Sequence, residues 1–173
     1  MNEEREAATM TVGFRAIGLA LLSGALLSGC ATDAPTTGTL PMYWPMTTAG
    51  ALVDSATARD MISAYRARTG GAALRIDPEL QRLAEAEAAA MAAADKPSQA
   101  QTVKVAVQRL GYAGAQANLS AGYHTFAEAF SGWRDSPAHN AVMLTPGATR
   151  MGIATAYAPN SKYKVYWALL VAE

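Results

Sequence analysis

The chain has 173 residues, a formal net charge of zero, 51% apolar residues and 16% charged residues. That length predicts one domain with extensions, and that composition is enough for a packed core, which excludes a disordered chain. No basic run or stripe occurs, so nucleic acid is excluded as the expected partner.

The first element in chain order is an address. Ala16 to Leu27 is an apolar stretch that follows Arg15 and runs into Leu27-Ser28-Gly29-Cys30. A basic start, an apolar core of roughly 7–15 residues and a small-residue exit make a signal peptide, and the core is shorter than the about 20 residues of a membrane-spanning helix. The exit resembles the lipobox of bacterial lipoproteins, in which the cysteine is lipidated and becomes residue one. Cys30 is the single cysteine of the chain, so no internal disulfide and no cysteine-built metal site is expected. Glu3, Glu4 and Glu6 stand where a signal peptide is positive, which points to Met10 as the true start. The expected division is 1–29 signal peptide, 30–50 lipidated Cys30 with a Pro/Thr/Gly linker, and 51–173 folded domain. The expected location is the bacterial cell envelope, lipid-anchored through Cys30 with the domain outside the cytoplasm. Ala31, not Asp, follows the cysteine, which favours an outer membrane where the host has one, by resemblance to the lipoprotein sorting rule. The linker holds Tyr43 and Trp44 between Pro41 and Pro45, read either as lying back on the domain or as a contact point.

The domain opens with a helix capped by Asp54-Ser55 and stopped at Gly70-Gly71. A second helix begins at Asp77-Pro78, cap then proline at the first helical position, with Leu80, Leu83, Ala84, Ala88 and Met91 on one face. A third lies between Ser98 and Gly111, with Val103, Val107 and Leu110 inward. Ala117 to Tyr123 reads as extended. A fourth helix opens at Thr125 and runs to Trp133, and a short helical turn follows Ser136-Pro137. The last feature is a hairpin, 149–158 and 163–172, around Pro159-Asn160-Ser161-Lys162. Val165, Trp167 and Leu169 alternate with Tyr166, Ala168 and Leu170, and both sets are apolar, which predicts a strand covered on both faces. Helices with a covered sheet predict an α+β layered sandwich.

Five segments in this order resemble the CAP superfamily, the cysteine-rich secretory, antigen 5 and pathogenesis-related proteins, also called SCP-like extracellular domains. They are Arg66 to Gly70 closing the first helix; Asp77-Pro78-Glu79-Leu80; Asn118-Leu119-Ser120-Ala121-Gly122-Tyr123; Trp133-Arg134-Asp135-Ser136-Pro137-Ala138-His139-Asn140; and Met151-Gly152-Ile153-Ala154 with Tyr166-Trp167-Ala168. The resemblance implies a three-layer α-β-α sandwich with a central antiparallel sheet. It also implies a cleft that typically gathers two histidines and two acids, and that in some members binds a divalent metal. This chain departs from that pattern. Glu87 stands where the first histidine is expected and Ala117 where an acid is expected, while His139 keeps its place.

Several residues carry two readings. His139 is either a cleft imidazole, as ligand or hydrogen-bond partner, or a first-turn residue bonded locally. Glu128 completes a capping box with Thr125, or supplies a cleft acid together with or in place of Asp135. Glu87 lies on the polar face of an Ala-rich helix or in the cleft beside Asn118. Catalytic zinc commonly needs three protein ligands, and one histidine with uncertain carboxylates falls short, so no cofactor is expected and His139 is the one candidate metal ligand. The expected function is non-catalytic: a domain held to the membrane by lipid on Cys30, binding a small apolar or peptide ligand or an envelope protein through His139, Asn118 and Glu87. The alternative is a metal-assisted hydrolase of peptides or envelope polymers, with His139, Glu128 and Asp135 as its candidate catalytic residues.

Overall fold

The computed structural model describes residues 38–173. The expected signal peptide and Cys30 lie outside the described residues. A short 3-10 turn, Pro41–Tyr43, precedes the first helix, α1, Ser55–Ala67. Then come β1 Arg75–Ile76, α2 Pro78–Ala94, α3 Ala100–Arg109, β2 Gln116–Ala121, α4 Phe126–Asp135, α5 Pro137–Met143, β3 Arg150–Tyr157 and β4 Val165–Ala172.

The helices start where the caps are. The Asp54 carboxylate accepts from Thr57 N, and that of Asp77 accepts from Glu79 N and Leu80 N, satisfying amides that have no partner inside the helix. The sheet runs β1-β3-β4-β2; β4 pairs antiparallel with β3 and β2, while two-residue β1 pairs parallel with β3. The sheet is therefore antiparallel except at one short edge. Where β1 ends, the Gln81 side chain takes over: its Nε2 donates to Ile153 O at 2.8 Å and its Oε1 accepts from Ile153 N at 3.0 Å. That covers an edge otherwise open to pairing with another chain.

All eight residues of β4 are buried. Val165, Trp167, Leu169 and Val171 face one core with Ile62 of α1, Phe126 and Trp133 of α4 and Met143 of α5. Tyr166, Ala168, Leu170 and Ala172 face the other, with Leu80, Ala84, Ala88 and Met91 of α2 and Val107 of α3. The molecule is thus the three-layer α-β-α sandwich. Close approach of α2 to β3 depends on Gly152, where a Cβ would overlap the Leu80 carbonyl and the Gln81 amide. Leu110, expected inward, is 58% exposed. The helix ends at Arg109, Leu110 is its C-cap and Gly111 turns the chain at φ +91°, so Leu110 leaves the helical face before reaching the core.

Residues 40–46 lie against the domain. Met46 is buried in the core of α1 and α4, and its N–H donates to His124 O at 2.8 Å. Tyr43 and Trp44 are half exposed, and the Trp44 indole N–H donates to Thr39 O at 3.0 Å.

Candidate functional site

Two recesses hold three of the sequence-predicted residues, His139 and Asn118 in one and Glu128 in the other. The first, of about 190 Å³, lies where α3, β2 and α5 meet, and is lined by His139, Asn118, Gln101, Lys104 and Gln116 over a floor of Ala100, Ala117, Ala138 and Val142. His139 is the third residue of α5, a helix that starts on Pro137 at its first position. Asn118 is fully buried in β2.

One side-chain amide fixes the imidazole. Asn118 Nδ2 donates to the His139 carbonyl at 2.9 Å, and Asn118 Oδ1 lies 2.9 Å from His139 Nδ1. Flipping the amide would set its oxygen against that carbonyl, so the oxygen faces Nδ1 and Nδ1 carries the proton. Nε2 is left with a lone pair. Burial holds the His139 pKa below its ordinary value, so the ring is neutral at pH 7. Lys104 supplies the only formal charge in the lining, and no carboxylate, hydroxyl or thiol is among the lining residues.

The other sequence-predicted residues are not brought to His139. Glu128 is exposed at the start of α4; its Oε2 accepts from His124 N at 2.7 Å while Thr125 Oγ1 accepts from Glu128 N at 3.2 Å. This is a capping box displaced by one residue, because the box glutamate normally bonds the amide of the cap itself. Asp135 is exposed and paired with Arg134 Nε at 2.8 Å, a contact that lowers its pKa. Glu87 is half-buried on α2 with Oε1 enclosed and unbonded, and it does not line the His139 recess.

The donor set does not fit a divalent cation. His139 Nε2 is a single ligand atom, Asn118 Oδ1 is engaged by Nδ1–H, Ala117 replaces a donor and Lys104 adds positive charge. Among the described residues, no three His, Cys, Asp or Glu side chains are grouped to hold a metal. Sequence reasoning missed Gln101 and Lys104. They lie three apart, hence on one face of α3, but only the packing of α3 against β2 makes that face a wall of the recess.

The second recess, of about 650 Å³, is an open groove between α1 and α4 beside the 3-10 turn, lined by Met42, Tyr43, Met61 and Phe130, with Glu128 and Arg134 at its polar margin.

No curated protein is similar enough to count as a relative. Among solved structures, the fold is similar to an outer surface protein from Borrelia burgdorferi, at 15% identity and TM-score 0.59, covering 69% of this chain and 92% of that one. It is also similar to an extracellular protein containing an SCP domain from Bacillus anthracis, at 17% identity and TM-score 0.56, over 68% of this chain and 39% of that one. A cysteine-rich secretory protein from Staphylococcus aureus matches at 15% identity and TM-score 0.56, over 68% of this chain and 37% of that one. At these identities the likeness is one of fold. The model of the cysteine-rich secretory protein family, CAP, matches residues 59–171, from within α1 to within β4. That match spans both outer helical layers and the sheet between them, and the chain belongs to the CAP family.

Proposed function

We propose that this is a lipid-anchored, extracytoplasmic CAP domain that binds a small peptide-like ligand without transforming it. The observation that carries the reading is the composition of the His139 recess: a neutral imidazole and a cation, with no carboxylate, hydroxyl or thiol among the residues that line it. No hydroxyl or thiol lines the recess for His139 to activate, and the Nδ1 proton is engaged by Asn118. A peptide does match the lining. Nε2 accepts from a peptide N–H, Lys104, Gln101 and Gln116 donate to a carbonyl or terminal carboxylate, and Ala100, Ala138 and Val142 suit a small apolar side chain. The solved structures named for the outer surface or the extracellular space support the extracytoplasmic part, and the lipobox at Cys30 supports the anchor.

The two histidines make the test internally controlled, since His124 is exposed outside the recess. Titrating 15N-histidine-labelled chain with tri-alanine is expected to shift His139 Nε2, leave Nδ1 pinned by Asn118 and leave His124 unmoved. An unmoved His139 at millimolar peptide overturns the binding reading. Appearance of cleaved alanine products, lost in His139→Gln, overturns the non-catalytic reading in favour of a hydrolase.

A further inference from the structure

Exposed apolar surface is concentrated in one segment. Of the five large apolar side chains that stand exposed among the described residues, Leu40 at 60%, Tyr43 at 51%, Trp44 at 42% and Leu52 at 76% belong to the strap before α1. From Ala34 to Val53 the sequence contains no Asp, Glu, Lys or Arg. The strap is also held in place. Met46 is buried beneath it, the Met46 amide is bonded to His124, and the Trp44 indole has its single polar atom bonded to Thr39. An uncharged, docked strap with its Leu, Tyr and Trp side chains outward is costly in water and matches the interfacial zone of a bilayer, where Trp and Tyr are enriched.

Chain length selects that occupant. Gly38 follows Cys30 by eight residues, a reach of at most about 28 Å when fully extended. A folded domain of the described size is roughly 35–40 Å across. A lipid on Cys30 therefore keeps the start of the domain within reach of the membrane surface and its far side beyond it. Resting on the proposed anchor at Cys30, we propose that the outer face of the strap at Leu40, Tyr43 and Trp44 is a membrane-contact surface, seated at the headgroup–acyl boundary of the phospholipid bilayer that holds the lipid. The contact is apolar, so it does not depend on anionic lipid or on ionic strength. Two acyl signals suffice for stable attachment; the strap's role is orientation, fixing which face of the domain meets the membrane.

Tryptophan placement gives a direct readout, because Trp133 and Trp167 are fully buried and Trp44 is the third and last tryptophan. The full chain, purified from membranes, is reconstituted into phosphatidylcholine vesicles with brominated acyl chains. Emission is expected to fall by at most the share of one tryptophan in three, equally at low and high salt. The fall should vanish in Trp44→Phe, and in the double variant Tyr43→Glu with Leu40→Glu, while both variants stay on the vesicles. Mass spectrometry of Cys30 reads the anchor separately. Acyl groups on Cys30 without Trp44 quenching overturn the strap contact and keep the anchor. Quenching in a chain without acyl groups keeps the contact and overturns the anchor. Absence of both overturns both. A Trp44 shielded from bromine and from aqueous iodide alike, with dimers on cross-linking, assigns the strap to a second copy of the chain and overturns the membrane contact.

Discussion

Asn118 grips His139 twice, at the backbone carbonyl and at the ring nitrogen, across two elements 21 residues apart in sequence. The ring is consequently held in one tautomer. Its charged form is disfavoured by burial, so the folded chain takes up this proton at lower pH than the unfolded chain. As pH falls through the ordinary histidine value of 6.5, the unfolded state binds more protons and stability declines. Urea melts between pH 7 and pH 5 are expected to show that decline, and His139→Gln is expected to flatten it. Asn118→Asp places a carboxylate against Nδ1–H and is expected to raise the His139 pKa, read by NMR titration. A His139 pKa that is unchanged in this variant would show that the amide does not govern the ring.

Trp133 and Trp167 meet edge to face with centroids 6.1 Å apart, and both are fully buried. Replacing either with alanine is expected to cost about 3–5 kcal/mol in urea melts. Because they touch, the double variant should cost less than the two single losses combined. Trp44→Ala should cost well under half of either; equal costs for all three would contradict the exposure of Trp44.

Arg66 is buried, yet its guanidinium donates to Ala72 O at 2.8 Å, Met143 O at 2.7 Å, Thr145 O at 3.1 Å and Ala148 O at 2.8 Å. Burial lowers its pKa from the free value. It ties α1 to the turn after α5 through carbonyls that no helix or strand satisfies. Arg66→Met is expected to be strongly destabilising, at about 1–3 kcal/mol for each buried carbonyl left without a donor, and Arg66→Lys should recover little, since an ammonium lacks the planar fork. Full stability of Arg66→Lys would mean that charge alone suffices.

Gly152→Ala is expected to cost about 3 kcal/mol or more, because its Cβ meets α2 backbone rather than a flexible side chain. Thermal melts compare it with Gly38→Ala, where a Cβ meets nothing within 4 Å and the change should be close to neutral. A neutral Gly152→Ala would show that α2 can move off the sheet.

Glu128→Gln is expected to be mild, within about 1 kcal/mol, since an amide oxygen can still accept from His124 N. Zinc should leave the melting midpoint unchanged in the wild type, in Glu128→Gln and in His139→Ala, whereas a bound ion at a hundredfold excess over Kd would add about 2.7 kcal/mol. A zinc-induced rise lost in both variants would restore the metal-assisted hydrolase.

The fold was legible where local chemistry and global packing agree. Asp54 and Asp77 announce helix starts because a cap acts within four residues, and β4 announces double burial because both its alternating sets are apolar. The pairing of Asn118 with His139 carries no local signature; it exists only once α5 lies beside β2. Thr125 and Glu128 gave the capping box by spacing, but the amide chosen, that of His124, depends on how the chain enters α4. The burial of Met46 was hidden for another reason: the segment around it has no period, and periodicity is the main signal of burial in a sequence.

The strand buried on both faces is also the last of the four described strands in chain order. β4 joins β3 to β2, so before residues 165–172 have left the ribosome β2 has no strand partner and neither helical layer has its central floor. The nascent chain can fold its helices but cannot close the sandwich. It is thereby kept open until residues 165–172 have been made. Any product cut short within the last eight residues of the sheet lacks the piece that both cores share.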